Sequence, residues 1–392
     1  MAADQVHVRL TVYLVTVVMS LLVLEVLSYL ILSLDHPGIR SRTYRPPTIT
    51  QDELTVYLEN RHPVLGWPTT TALAEHYNKN GARISPANEK INAAPCLSLY
   101  GDSLTYSHGV SDEKAWGNLL AHDLGCRVDN FGVNGYGVDQ AVLRFEHNPN
   151  DSAPVIILGI FSDDLARNMN QWRSLLNGRV ALKFLKPSFS LSENGELEIT
   201  PVPRIETMEN AIDLYKNPSH FLKNEMFLPN SKYGPVEVKF PYLYAFSKLS
   251  LNILIRSWDY EYWNGVVPEG MPLYMTNESL IERNAQIVER FAQTCMTQRR
   301  TCYVLMIPSS FEIRYYIKNS VFLAKRISEK FSSRVKVLDA TEILAKNMSE
   351  TGFCSYLDDF ENCGYHYGED GYELIAKFIK AHLCKGTAFR CE

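Results

Sequence analysis

The chain lacks the sequence features by which nucleic-acid, nucleotide and zinc proteins are recognised. Its 39 Lys and Arg residues are outnumbered by 44 Asp and Glu, so the basic surplus of a nucleic-acid-binding domain is missing. The sequence has no Gly-rich phosphate loop or dinucleotide fingerprint, and none of its eight cysteines lies in a Cys-x-x-Cys pair. These absences predict a protein that works without nucleic acid, metal or cofactor.

One long hydrophobic segment stands out near the N-terminus. Between Leu10 and Leu34 the only charged residue is Glu25, and about 20 apolar residues suffice to cross the hydrocarbon core of a bilayer. A cleaved signal peptide is the alternative, but its apolar region is usually about 7–15 residues long and ends at a small-residue cleavage site. The segment therefore predicts an uncleaved transmembrane signal anchor at residues 10–34 that binds the lipid bilayer, with residues 1–9 on the cytoplasmic side.

The charges in and around this segment give mixed signals. A carboxylate is costly in lipid, so we expect Glu25 to be protonated, close to an interface, or paired with another helix, which would point to a membrane-protein partner. Arg9 precedes the span, while Arg40, Arg42 and Arg45 follow it, and the positive-inside rule alone favours a cytoplasmic domain. Long domains translocate largely regardless of such charges, so the cysteines decide the orientation.

Six of the eight cysteines form close sequential pairs. Short-loop disulfides cluster in this way, whereas buried free cysteines have no reason to. We therefore predict a single-pass membrane protein whose main domain lies on the periplasmic, extracytoplasmic side. The other two, Cys96 and Cys126, stand at the starts of predicted strands, where simple burial explains them. The predicted disulfide cysteines are Cys295 with Cys302, Cys354 with Cys363, and Cys384 with Cys391.

Strand and helix patterns alternate from residue 95 onward. The continuous apolar run Val155–Leu158 is typical of a parallel strand covered on both faces, and strand–helix units of this kind close into a doubly wound sheet. We predict an α/β domain over residues 93–164 and 276–392. The predicted strands are 96–100, 127–130, 155–158, 302–307 and 334–338, and the predicted helices are 113–124, 137–147, 278–297, 315–330, 340–347 and 370–382.

Two further segments flank or interrupt this domain. Residues 35–92 read as a stalk and lead-in, with a docking turn at residues 65–68 (Leu-Gly-Trp-Pro). Residues 165–275 read as an inserted cap over one edge of the sheet, with a hairpin around Asn194-Gly195 and an aromatic-rich helix at 241–263. Ligands of open α/β sheets bind beyond the carboxyl ends of the strands, so we expect the cap to line the substrate cleft.

The strongest chemical signal is the segment Tyr100-Gly101-Asp102-Ser103-Leu104-Thr105, directly after an apolar strand. A serine at this place can be presented to a cleft as a nucleophile, and its backbone N–H can help to bind an oxyanion. An ordinary turn is the alternative interpretation of Gly-Asp-Ser alone.

The chain resembles the GDSL/SGNH hydrolase superfamily, especially its membrane-anchored bacterial members, over residues 60–165 and 278–382. The resemblance implies a three-layer, flavodoxin-like parallel sheet. The blocks that carry it are Gly101–Leu104, Asn130–Gly137, Gly159–Asp164 and Gly364–Tyr372.

The resemblance also implies roles for single residues. Ser103 matches the nucleophile, His366 the general base and Gly135 an oxyanion-hole glycine. Two positions depart from the family pattern, because Asp163 stands where a third oxyanion donor, Asn, is usual, and Cys363 stands where the acid that orients the histidine is usual.

The missing acid leaves several alternatives open. Asp358 or Asp359 could supply the orienting acid from a neighbouring turn, and we assign Asp359 as the third catalytic residue. A Ser–His dyad or an inactive site are the others. We predict a serine esterase or O-acyltransferase acting on acyl esters. The resemblance implies O-acyl groups of envelope polysaccharides as substrates, with an acetylated glycan as the leading class. The alternative is a catalytically degenerate scaffold subunit of a membrane complex.

Overall fold

The structure, a computed structural model, describes most of the chain. Four residues singled out in the sequence, Asp163, Asp359, Cys363 and Cys391, lie outside the described residues. The described ranges are 2–67, 76–91, 93–161, 164–177, 181–262, 277–322, 324–358 and 366–385.

A five-stranded parallel sheet forms the centre of the α/β domain. Its strand order is β3-β2-β4-β8-β9, the flavodoxin-like order in which the first strand of the sheet lies between the second and the third. All seven residues of β4 are buried, as its continuous apolar sequence requires. The predicted parallel α/β fold is confirmed. The strands of the chain are β1 Thr43–Tyr44, β2 Leu97–Tyr100, β3 Val128–Asn130, β4 Val155–Phe161, β5 Ser188–Leu191, β6 Leu197–Thr200, β7 Val236–Glu237, β8 Thr301–Ile307 and β9 Lys336–Asp339.

Helices cover both faces of this sheet. Alternate residues of β2 and β4 point to opposite sides, so Leu97 and Ile157 pack in one apolar cluster and Ile156 and Leu158 in another. The α-helices are α1 Ala2–Leu32, α2 Pro37–Arg40, α3 Gln51–Asn60, α4 Pro86–Glu89, α5 Ser103–Tyr106, α6 Trp116–Leu124, α7 Val138–Glu146, α8 Asp164–Arg167, α9 Ser174–Asn177, α10 Met208–Lys216, α11 Tyr242–Tyr262, α12 Glu278–Thr297, α13 Ser310–Asn319, α14 Lys325–Ser328, α15 Thr341–Thr351 and α16 Glu369–Lys385.

The single helix predicted at 315–330 is wrong, because two short helices occupy this region. A capping box formed by Ser309 and Glu312 starts α13 five residues earlier than predicted. Ser320 then adopts a left-handed conformation with φ 55° and ends it, since such a residue cannot continue a right-handed helix.

The insertion and the segment before the domain pack together. The predicted hairpin is confirmed, with Phe189 opposite Ile199 in the antiparallel pair β5–β6. Strand β1 pairs in parallel with β7 of the insertion, and Leu54 and Tyr57 of α3 share an apolar cluster with the insertion. The segment that the sequence suggests as a stalk therefore contacts the insertion through both a strand and a helix.

The N-terminal helix α1 is apolar and largely exposed. Its residues His7–Leu32 are long and apolar enough to cross a membrane. The aromatic-rich helix α11 was expected to cover an edge of the sheet, but its principal contacts are with α1 and β7. Glu25 accepts hydrogen bonds from the backbone N–H groups of Tyr242 and Leu243, at 2.9 Å for the second. The partner of Glu25 is thus a helix of the same chain.

Disulfides join neighbouring elements of the α/β domain. Cys295, near the end of α12, is bonded to Cys302 in β8. Cys96 and Cys126 are also bonded to each other, with Cα atoms 6.0 Å apart. The interpretation of these two as merely buried is wrong, because β2 and β3 are adjacent and parallel, which brings their starting ends together. Cys354 and Cys384 each take part in a disulfide, and their predicted partners, Cys363 and Cys391, lie outside the described residues.

Candidate active site

Ser103 lies at the carboxyl end of β2, in the first turn of α5, and is 5% exposed. The Asp102 side chain caps this turn by accepting a hydrogen bond from the Leu104 N–H at 2.9 Å. The chain turns sharply at Gly101, where a Cβ atom would lie 2.1 Å from Thr105 Oγ1. Only glycine fits there, so the Gly-Asp-Ser order has a steric and a capping reason.

His366 meets Ser103 across 263 positions of sequence. Its Nε2 atom lies 3.0 Å from Ser103 Oγ, within the range over which a general base takes a proton from a nucleophile. Ser103 Oγ also lies 3.3 Å from Asp102 Oδ2. The hydroxyl has one hydrogen, and the shorter distance favours donation to the imidazole.

Asp358 occupies the far side of the imidazole. Its Oδ2 atom is 3.5 Å from His366 Nδ1, and its Oδ1 atom accepts a hydrogen bond from the His366 backbone N–H at 3.2 Å. The Asp358 N–H in turn donates to the His366 carbonyl at 2.9 Å. A carboxylate beside Nδ1 favours the tautomer with hydrogen on Nδ1, which leaves Nε2 free to accept the serine proton. Asp358 therefore provides a carboxylate beside the ring, while Asp359, the residue assigned from the sequence, lies outside the described residues.

The electrostatic surroundings adjust the basicity of this histidine. Burial lowers the pKa of His366 below its ordinary 6.5, and the neighbouring His108 lowers it further, while Asp358 raises it. The His108 and His366 rings are 4.7 Å apart between centroids. A lowered pKa keeps the imidazole neutral, and hence able to act as a base, down to mildly acidic pH.

The loop after β3 lies against the serine turn. The Val133 N–H donates to the Gly101 carbonyl at 3.1 Å, and Asn130 Nδ2 donates to the Thr105 carbonyl at 2.7 Å. Asn134 Nδ2 lies 3.1 Å from His108 Nδ1, which connects the same loop to the two histidines.

Gly135 follows directly in this loop, with φ +82°. This left-handed conformation is strained for any residue with a side chain. In the part of the chain that the structure describes, its N–H donates to no carbonyl or side chain, so it is available as an oxyanion donor. Asp163, the other oxyanion candidate, lies outside the described residues.

A buried ion cluster lies behind the nucleophile. Arg167 Nη1 is 3.2 Å from Asp102 Oδ2 and 3.0 Å from Asp164 Oδ1, and all three side chains are at most 4% exposed. The same nitrogen donates to the Tyr136 carbonyl at 2.8 Å, next to Gly135. Arg167 thus compensates the buried charge of Asp102 and ties the serine turn to the Gly135 loop.

Sequence reasoning missed His108 and Arg167. His108 lies five positions after Ser103. It belongs to the site only because His366 packs against it. Arg167 had a weak local signal, since it stands three residues after Asp164 on one helical turn, where an ion pair can form.

No protein-family model and no curated protein matches the chain. It is similar to a solved G-D-S-L family lipolytic protein from Desulfitobacterium hafniense DCB-2, at 10% identity and TM-score 0.34, covering 73% of this chain and 97% of that one. A G-D-S-L lipolytic family member from Veillonella parvula DSM 2008 gives 10% identity, TM-score 0.34 and coverages of 73% and 96%.

An acetyl xylan esterase from the rumen bacterium Butyrivibrio proteoclasticus gives 9% identity and TM-score 0.32, covering 75% of this chain and 65% of that one. Two of these three proteins are described by the G-D-S-L motif, which this chain carries at residues 101–104. At such low identities and TM-scores the alignments carry no argument about activity, so the geometry of the site must carry it.

Proposed function

We propose that the protein is a membrane-anchored serine esterase or O-acyltransferase that acts on acyl esters. One observation carries the proposal: Ser103 Oγ lies 3.0 Å from His366 Nε2, with the Asp358 carboxylate 3.5 Å from the other ring nitrogen. A nucleophile, a base and an orienting acid in this order are the constellation of serine acyl-transfer enzymes.

In the proposed first half-reaction, His366 Nε2 takes the proton of Ser103 as Oγ attacks the ester carbonyl carbon. The carbonyl oxygen becomes negative and is met by the N–H groups of Ser103 and Gly135; each such donor contributes about 3 kcal/mol to lowering the barrier. The tetrahedral intermediate collapses, the imidazolium gives its proton to the departing alcohol oxygen, and the acyl group stays on Ser103.

The second half-reaction decides between hydrolysis and transfer. His366 takes a proton from water or from an acceptor hydroxyl, whose oxygen attacks the acyl-enzyme carbonyl carbon. As this second intermediate collapses, the bond between the carbon and Ser103 Oγ breaks and the imidazolium returns its proton to Oγ. Both outcomes use the same residues and differ only in the acceptor. An acylated envelope glycan is the substrate class we propose, because a site anchored at an extracytoplasmic membrane surface faces such esters and the sequence motifs resemble those of membrane-anchored bacterial hydrolases.

A fluorophosphonate probe tests the nucleophile directly. We expect the full chain in detergent to be labelled, and the label to be lost in Ser103→Ala because no other described serine contacts His366 Nε2. Ser111→Ala is the matched control, since Ser111 is an exposed serine eight positions away, and it should label like the unaltered chain.

The competing function is a scaffold subunit with a degenerate site. Folded protein that takes no label would favour that function and contradict an esterase. Glu25 was one reason to consider a membrane-protein partner, and its hydrogen bonds to α11 now account for it within the chain. Such a partner stays a prediction.

A further inference from the structure

Two exposed apolar features contact each other: helix α1 and residues 240–244, here called the 240–244 turn, which include the first three residues of α11. The Glu25 carboxylate accepts hydrogen bonds from the first N–H groups of α11. The rings of Tyr29 and Tyr242 pack with centroids 4.9 Å apart. Leu32 and Leu249 share one buried cluster. The turn is therefore fixed against α1 at the level of Glu25.

The length of α1 determines how deep Glu25 lies in the bilayer. Residues His7–Leu32 form an apolar helix of 26 residues, or ~39 Å at ~1.5 Å per residue, against ~30 Å for the hydrocarbon core. With His7 at one edge of the core, Glu25 lies ~3 Å inside the opposite edge. With Leu32 at that edge instead, Glu25 lies ~10 Å inside. In either placement the 240–244 turn lies at the edge of the hydrocarbon core or inside it.

The exposed side chains of this turn suit that position. Phe240 is 72% exposed and Tyr244 is 65% exposed, although both are large aromatic residues. Aromatic rings are favoured at the boundary between headgroups and acyl chains. Exposed apolar residues also follow along α11 at Leu251 and Leu254.

From the contacts with α1 and the exposure of Phe240 and Tyr244 we propose that the 240–244 turn and the start of α11 are a second lipid-contacting element, seated in the leaflet from which α1 emerges. The inference rests on the membrane anchoring proposed above. Its occupant is the lipid bilayer, because the turn lies at the depth that α1 itself assigns to lipid.

The Glu25 contact is favoured at such a depth. In lipid, the free N–H groups at the start of a helix have no water to bind, and a carboxylate there has lost its hydration. The carboxylate gives the N–H groups an acceptor, and the N–H groups give the carboxylate hydrogen-bond donors. The positive end of the helix dipole further favours the negative charge.

A photoreactive diazirine amino acid placed at single positions tests the proposal. The full chain is reconstituted in vesicles of phosphatidylethanolamine and phosphatidylglycerol, irradiated, and analysed for lipid adducts by mass spectrometry. The test position is Phe240, with Tyr244 as a second position in case replacement of Phe240 perturbs the turn. Leu14 in α1 reports the anchor. Ile199 is the exposed apolar control, since its hairpin contacts α12 rather than α1.

We expect lipid adducts at Leu14 and Phe240, and about tenfold fewer at Ile199, because only the first two would lie in the interfacial or apolar layer. Adducts at Leu14 with none at Phe240 or Tyr244 would overturn the second contact and leave the anchor intact. An absence of adducts at Leu14 would overturn the anchor and this inference together. Protein adducts in place of lipid at Phe240 would assign the surface to a second copy or a partner, and also overturn the proposal.

Discussion

At the scale of single residues, the orientation of His366 depends on the carboxylate beside its Nδ1 atom. Asp358→Asn keeps the shape of the side chain but removes the charge that favours the required tautomer, so we expect kcat to fall on the order of 10²–10⁴-fold. The fall in kcat is measured from the hydrolysis of p-nitrophenyl acetate by the full chain.

Asp359→Asn is the comparison that tests the competing assignment from sequence. A larger loss in Asp359→Asn than in Asp358→Asn would contradict the role given to Asp358. Glu369→Gln alters an exposed ion pair with Lys114 and should leave the rate unchanged, because such pairs contribute little.

The His108 side chain should influence the pH dependence of the reaction through its effect on His366. His366 must be neutral to accept a proton, and its pKa is lowered below 6.5 by burial and by His108. The acid limb of the kcat/KM profile should therefore lie below pH 6.5. In His108→Gln the pKa of His366 rises, so activity should be lost at a higher pH than in the unaltered chain. In Asp358→Asn the acid limb should move to lower pH, because Asp358 raises the pKa of His366 and the variant loses that effect. Identical acid limbs in all three proteins would refute this coupling.

At the scale of secondary-structure elements, the Cys96–Cys126 disulfide joins the starting ends of β2 and β3. It closes a loop with a sequence separation of 30, for which a loss of about 2–4 kcal/mol of unfolding free energy is expected on removal. The double variant Cys96→Ala/Cys126→Ala should unfold at lower denaturant concentration. Its kcat should not change, since Ser103 lies at the other end of β2. Equal stability with and without a reducing agent would show that the bond does not form.

The central strands of the sheet could be predicted because β4 and β8 are continuous apolar runs and β2 is a short run that ends at Gly101. The helix α12 was predicted with its observed bounds, since Asn277 caps its start and its apolar residues keep a helical spacing. The region 310–328 was misjudged because the cap formed by Ser309 and Glu312 was overlooked. The place of α11 could not be predicted, because its aromatic sequence fits a buried cap and a lipid surface equally well.

The candidate site, like the fold, could be predicted from the sequence only in part. Ser103 and His366 follow motifs with a fixed place in the fold, whereas His108 and Arg167 enter the site through contacts between segments that no local pattern links. The choice between Asp358 and Asp359 depends on which side chain faces the ring, and two adjacent aspartates carry no sequence signal that separates them.

At the scale of the whole molecule, the orientation in the membrane makes a separate prediction. Disulfides form in oxidising compartments, so the domain after α1 should lie on the extracytoplasmic side. In sealed right-side-out membrane vesicles, an antibody should reach an epitope fused to the C-terminus and miss one fused to the N-terminus. Inside-out vesicles should give the reverse. Binding to the C-terminal epitope only in inside-out vesicles would place the domain in the cytoplasm.

The pairing of β1 with β7, soon after α1 ends, has a consequence for how such an enzyme would work. The chain is held by the body of the protein within about ten residues of the helix, so no long flexible tether separates the two. In the proposed topology the serine would stay at one fixed height above the lipid. Polymers held at that height would meet it at high local concentration, while esters farther out in the envelope would have to travel to it.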